Sequence, residues 1–448
     1  MPLSLGRRSL AAFMMLAAVP QSARAAAAPM TLSLGGAVAM ALSASGNLGL
    51  RQARQALRVA EAQSEESRSF LLPRLDGSLS GQNQELSLQA AGLTASPIPG
   101  VNFPASSGSF NTLDARLSAT ATLLDIGALQ KARAAAAATG AAAGRLERLE
   151  DVLAARVGEL YLEALRADAV VGTAAEDVKR GSVLLELSRR RESAGKATRL
   201  DVVRAQARLD DDQERLLGAR ILGAHDRLLL LRALRLDLGT ELELSDDPGL
   251  EEPGQAPDFS AVLAKARGAR ADLREQSDRL RQARLLDSAS RWEHFPSLEA
   301  YGDYGSIKAG SERPVATHVV GAALRLPLFE GFRLKARDAR SLARLKTEEI
   351  RAEDLEDQVE LELRDALQTR QLSQERLEVA QEGLELSRQE LEQARRRYEA
   401  GVADNVDVVD AQARLAGAQE RRADALFAFE KARLDLWLAM GTIRSMVR

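Results

Sequence analysis

Apolar residues recur at every seventh position along two stretches of this chain. Leu377, Leu384, Leu391 and Tyr398 form one series, with the small residues Ala380, Ser387 and Ala394 three places on. Val171, Val178 and Leu185 form the other, followed in the same way by Ala174, Gly181 and Ser188. A seven-residue period keeps one seam turned toward a neighbour as helices supercoil, and small residues let the backbones approach. The pattern predicts long helices over 127–193 and 332–399. Between 333 and 400 there is no Pro and one Gly, Gly383, so at 1.5 Å per residue that helix reaches about 100 Å. Glycine turns at Gly195 and Gly401 then lead into return helices over 198–240 and 404–440. On the second of these, Ala411, Ala418, Ala425, Ala432 and Ala439 keep the seven-residue period, with Leu426, Phe429, Leu436 and Trp437 around them. Contacts on more than one side fit a stave in a helical wall. A plain antiparallel coiled-coil rod fits the heptads equally well.

Further helices are expected over 31–70 and 258–294. After each comes a pair of segments whose apolar residues alternate with polar ones. Leu75, Gly77, Leu79 and Gly81 begin the first strand, over 74–85; Leu113, Ala115, Leu117, Ala119, Ala121 and Leu123 make the next, over 112–124. Leu298, Ala300, Gly302 and Tyr304 mark a third over 297–306, and His318, Val320, Ala322, Leu324 and Leu326 a fourth over 315–328. Period two gives each strand two different environments, and each run has about the length of a tilted membrane-crossing strand. Four strands cannot close a barrel, and open edges leave backbone groups unpaired in lipid, so membrane insertion would require oligomers. A soluble hairpin packed on helices is the other reading. Loops rich in Gly, Ser, Pro and Asn over 84–111, and a short one over 307–314, join the strands within each pair.

Composition narrows this picture. Aromatics are 4% and charged residues 28%, the balance of long helices. The net charge of −3, with bases and acids interspersed, does not suit a nucleic-acid partner. No apolar run beyond the amino terminus approaches a helical membrane span. The start itself has Arg7 and Arg8, an apolar run from Leu10 to Val19, and Ala23-Arg24-Ala25, which reads as a signal peptide over 1–25 and an exported protein. The absence of cysteine excludes disulfides, thiolate metal sites and cysteine nucleophiles.

The chain is also written twice. SRRRESAGKATRLDVVRAQARL, starting at Ser188, aligns without gaps on ARRRYEAGVADNVDVVDAQARL, starting at Ala394, at a shift of about 206 positions, the separation of Gly195 from Gly401. Two repeats over 26–245 and 258–448, joined by a linker over 246–257, follow from this layout.

Arg397-Tyr398-Glu399-Ala400-Gly401, the following Val406-Asp407-Val408-Val409-Asp410-Ala411-Gln412-Ala413-Arg414-Leu415, and Leu-Pro-Leu-Phe-Glu-Gly from Leu326 to Gly331 resemble the signature of the TolC family of outer-membrane efflux channels. The resemblance implies a mainly helical TolC-like fold: a homotrimer in which four strands per chain complete a twelve-stranded β-barrel in outer-membrane lipid, above a long α-barrel in the periplasm. It implies as partners a periplasmic adaptor and an inner-membrane efflux or secretion transporter. The adaptor-docking turns would be Gly195, Lys196 and Ala197, and Gly401, Val402 and Ala403. The periplasmic entrance would be constricted by Asp407 and Asp410, and locked by a network of Tyr398 and Asp201, with Arg204 or Arg199 standing in for a base absent at Ala403.

The residues add a check of their own. Thr198 with Asp201, and Asp404 with Asp407, have the spacing of helix caps, which explains Asp201 and Asp407 without a gate. Asp410, matched by Arg204, and Tyr398, matched by Glu192, have no such explanation. Three copies of Asp410 near an axis would form a ring that favours cations. No catalytic constellation is present: His225, His294 and His318 lack the spacing of a helical zinc site, and there is no nucleophile elbow. No cofactor, metal or enzymatic role is expected. A trimeric export duct and a soluble periplasmic coiled-coil scaffold or adaptor remain as the two readings.

Overall fold

The computed structural model describes residues 30–43, 47–90, 92, 104–245 and 258–447; the expected signal peptide and linker lie outside them. The first half runs β1 (Met30–Leu32), α1 (Leu34–Leu42), α2 (Leu48–Ser69), β2 (Arg74–Ser87), β3 (Ser106–Leu124), α3 (Ile126–Ser193), α4 (Arg199–Leu234) and β4 (Leu242–Leu244). The second runs α5 (Phe259–Ala269), α6 (Ala271–Trp292), β5 (Ser297–Ala309), β6 (Val315–Arg325), α7 (Arg333–Glu399) and α8 (Asn405–Ala439), closed by a 3-10 turn over Ile443–Val447.

The heptad stripes are buried seams. Leu384, Leu391 and Tyr398 pack with Ala411, Ala418 and with Leu184, Leu185 and Leu209 of the other hairpin, and Leu377 is buried on the same stripe. Ala425, Ala432 and Ala439 continue the buried alanine line along α8. The helix α3 touches α2, α4, α6 and α8, which a two-helix rod does not allow; the helices form a wall. Where α3 meets α6 the contact is close, since a Cβ on Gly144 would lie 3.0 Å from the Glu275 backbone.

Three expected helices are cut short or broken. The one over 31–70 is divided: Thr31 and Leu32 pair in parallel with Glu243 and Leu244, Ser33 caps α1 by accepting from the Gly36 N–H at 3.1 Å, and Asn47 caps α2 by accepting from Gly49 at 2.8 Å. The small sheet is pinned by buried Tyr161, whose hydroxyl donates to the Leu32 carbonyl at 2.9 Å and accepts from the Ser245 N–H at 3.0 Å. The return helix expected to reach 240 ends at Leu234 because Arg235 turns left-handed at φ 58. The helix over 258–294 breaks at Arg270, which takes ψ 125 and buries its guanidinium among Asp272, Glu362 and the Ala439 carbonyl.

One antiparallel sheet in the order β2-β3-β5-β6 holds the four long strands. The strand expected to reach 328 stops at Arg325, since Pro327 has no N–H for a ladder. Strands β2 and β3 instead extend into the expected loop, as far as Ser87 and back to Ser106.

Candidate functional site: the paired helix turns and the two-faced sheet

Each hairpin ends in the same backbone device. Gly195 and Gly401 take φ +67 and +76. The Lys196 N–H donates to the Arg191 carbonyl at 2.8 Å, and the Val402 N–H to the Arg397 carbonyl at 3.0 Å. These bonds close the last turns of α3 and α7 across a left-handed residue, where glycine carries no steric penalty. Lys196 and Val402 are exposed, while Ala197 and Ala403 are half-buried.

The helix starts differ from each other. Thr198 and Asp201 form a full capping box: the Asp201 carboxylate accepts from the Thr198 N–H at 2.8 Å, and the Asp201 N–H donates to Thr198 Oγ1 at 3.3 Å. Asp404 occupies the matching position before α8 but makes no side-chain cap bond; it is exposed, so solvent serves both its carboxylate and the first-turn amides. The start of α8 is tied instead through Asn405, 1% exposed, whose side-chain amide donates to the Asp201 carbonyl at 2.8 Å.

Within one chain the proposed lock residues do not converge. Tyr398 is buried against Ser188, with their hydroxyls 3.5 Å apart, and its ring lies under the Arg191 guanidinium at 4.4 Å. Arg191 also donates to the Tyr398 backbone carbonyl. Asp201 is occupied by its cap, Arg199 lies 3.8 Å from Glu192, and Arg204 is exposed. Sequence reasoning missed Arg191 and Asn405. The visible signal for Arg191 is the cluster of three arginines ahead of each turn; the buried amide of Asn405 has no sequence marker. Asp407 and Asp410 stand exposed on one side of α8. Arg414, one turn on, pairs with Glu390 at 2.8 Å. That hydrogen bond holds the guanidinium above its ordinary value, and the charges of Asp410 and Asp407 add to the effect.

The Arg191 clasp joins the α3–α4 hairpin to the α7–α8 hairpin, combining a cation over a ring with a charged hydrogen bond. Arg191→Ala is therefore expected to speed hydrogen exchange of the 396–404 amides by roughly tenfold or more, read by mass spectrometry. Unchanged exchange there would show that the clasp holds nothing.

At the other end, alternation makes a two-faced sheet. The register places Leu75, Leu79, Leu113, Leu117, Tyr304, Val320 and Leu324 on one face, between 48% and 84% exposed. The other face is polar: Arg116 of β3 reaches Asp303 of β5, Asp114 at 3.2 Å and Thr317 of β6 at 3.3 Å. Among the described residues no helix is long and apolar enough to cross a membrane, and no cluster of His, Cys, Asp and Glu could hold a metal. His294 rests on Asp338 at 2.7 Å.

A sheet greasy on one side, carried on a wall of helices that ends in paired turns, is the fold of outer-membrane channel proteins. Two solved channels share it: VceC of Vibrio cholerae (TM-score 0.75, 19% identity, 91% of this chain and 96% of that one) and the open state of MtrE of Neisseria gonorrhoeae (TM-score 0.76, 20% identity, 91% and 88%). The chain belongs to the outer membrane efflux protein family, whose sequence model matches residues 40–234 and 262–442, and its place is the outer membrane with a periplasmic extension. It is 25% identical over 297 residues to the toluene efflux pump outer membrane protein TtgC of Pseudomonas putida, covering 64% of this chain and 60% of TtgC. It is 32% identical to the protein CyaE of Bordetella pertussis over 61% of this chain and 58% of CyaE. The pyoverdine export protein OpmQ of Pseudomonas aeruginosa is 27% identical over 90% of this chain and 83% of OpmQ. The chain thus spans about three fifths of the length of TtgC and CyaE.

Proposed function

We propose that three copies of this chain form an exit duct for a tripartite efflux or secretion machine. The observation that carries this reading is the sheet: an exposed apolar face, a polar opposite face and two edges, β2 and β6, each paired on one side only. Lipid solvates the apolar face but cannot satisfy the edge amides. Because the four strands alternate in direction, β6 of one copy lies antiparallel to β2 of the next, and three copies close twelve strands into a barrel wide enough for a lumen. The helices then continue the wall through the periplasm and end at the turns around Gly195 and Gly401. There an adaptor's helical hairpin docks and the partner transporter opens the entrance. A soluble scaffold or adaptor would expose the same leucines to water, and family membership does not favour it. Fractionation tests the reading: a detergent-resistant trimer in the outer membrane supports it, and a monomer released with the soluble periplasm refutes it.

Asp407 and Asp410 in this arrangement form the narrowing at the entrance, three copies of each. Negative rings favour cations and hold the opening against bulk anions. Asp407→Ala with Asp410→Ala is expected to raise single-channel conductance in planar bilayers by roughly twofold or more and to lower cation selectivity. A conductance equal to wild type would remove the two residues from the entrance.

A further inference from the structure

We propose that the cleft between α6 and α7 just below the sheet binds anionic groups on molecules moving through the duct, an inference that rests on the channel reading above. The cleft measures about 700 Å³ and is lined by six bases, Lys131, Arg279, Arg337, Arg340, Arg344 and Arg351, against two carboxylates, Glu293 and Glu348. A chain of net charge −3 does not concentrate bases in this way by composition alone. Along α7 the change is abrupt: residues 353–362 contain six acids and no Lys or Arg.

Pairing inside the cleft is incomplete. Lys131 and Arg337 share one partner, Glu293, each at 2.6 Å. Burial by itself would raise the Glu293 carboxyl, but the two hydrogen bonds reverse this and hold it below its usual range, so it stays charged and already saturated. Arg351 is held by Glu348 at 2.6 Å and Arg279 by Glu275. Arg340 and Arg344 make no side-chain hydrogen bond or ion pair with the described residues, and both are exposed. Four residues apart, they share one face of α7. Arg337, Arg344 and Arg351 repeat every seventh position beside them, so the positive stripe runs about 21 Å along the helix. Nearby, the Ser290 and Ser341 hydroxyls, 2.7 Å apart, are already committed to Asp287, so the arginines carry the site.

In the closed barrel we place the mouth of the cleft on the lumen side, where the blockade measurement below tests it. Lys131 of α3 and Arg337 of α7 meet on Glu293 just past the end of α6. Planar guanidinium forks match phosphate, sulfonate and carboxylate oxygens. A shallow site of several such forks holds an anion loosely enough to release it, as conduction requires.

The probe is inorganic tripolyphosphate. In isothermal titration at low ionic strength, the detergent-solubilised full chain should bind it. Arg340→Gln with Arg344→Gln should bind at least about tenfold more weakly, the loss of charge-assisted hydrogen bonds, while Arg281→Gln, on α6 outside the cleft, should match wild type. In planar bilayers, tripolyphosphate added from the sheet end should transiently block wild-type channels and not the double variant. Equal binding by wild type and the double variant overturns the site. Binding that depends on the two arginines but causes no blockade of open channels overturns its place in the lumen. If no variant conducts at all, the channel reading fails, and the titration still decides whether the cleft binds anions.

Discussion

Arg270→Ala is expected to cost the folded chain about 3–5 kcal/mol, the range for removing one member of a buried ion pair. Arg270 is 8% exposed. It donates to both oxygens of Asp272, at 3.0 and 2.6 Å, and to the Ala439 carbonyl at 3.0 Å, and it lies 2.8 Å from Glu362. Its loss strands the Asp272 charge in the protein interior and leaves the end of α8 without its donor. Gly441, at φ +68, lies so close that a Cβ there would sit 2.8 Å from the Arg270 Cα, so the chain is already pressed tight at this point. Guanidinium unfolding followed by circular dichroism measures the loss. Arg270→Met with Asp272→Leu should recover most of it, because no charge is then left buried. A single variant as stable as wild type would show that the network does not hold the helix break.

The same pair sets an acid limit. Burial alone would raise the Asp272 carboxyl, but the Arg270 hydrogen bonds and charge, with the Leu273 N–H, hold it below its usual value. A group depressed by folding contributes its full stability above its unfolded value, near pH 4. It loses that contribution as the pH falls through the lower folded value. Wild type should therefore lose stability below about pH 4 more steeply than the Met and Leu double variant.

Val320→Arg is expected to abolish most insertion and trimer assembly, whereas Val319→Arg, one residue away, is tolerated. Val320 stands at the middle of β6, 84% exposed, on the face shared with Leu79, Leu117 and Leu324. A guanidinium near the bilayer midplane costs about 2–4 kcal/mol per copy, and each of three copies would carry it. Val319 pairs with Asp303 on the polar face, where Arg116 already resides. Semi-denaturing electrophoresis of outer-membrane fractions compares the two. Equal effects would mean that the sheet does not present these faces to lipid and lumen.

Much of the architecture was legible before any coordinates. The leucine and alanine heptads mark the seams of α3, α7 and α8 because a repeating side-chain spacing is a local property of a helix. Strand alternation marked the four long strands for the same reason, and the Thr198 and Asp201 spacing was enough to identify a capping box. The helix ends were less legible. The break at Arg270 depends on Glu362 and Gly441, far along the chain, and no local propensity encodes their approach.

The candidate site divides along the same line. Gly195 and Gly401 were readable as turns, since only the backbone needs them, and Asp407 and Asp410 share a face by spacing alone. That Tyr398 is clasped by Arg191, while Asp201 is consumed by its own helix cap, is decided by how two hairpins pack. The same holds for the β3–β5 pairing that joins the two halves into one sheet, and for Arg340 and Arg344, which have no carboxylate partner among the described residues. By itself, then, the sequence determined the periodic elements, their turns and the family, because each is written in residues close along the chain. Only the tertiary structure decided the long-range pairs, such as Arg270 with Glu362 and Lys131 with Glu293, because those partners come from elements that the chain separates by tens to hundreds of positions.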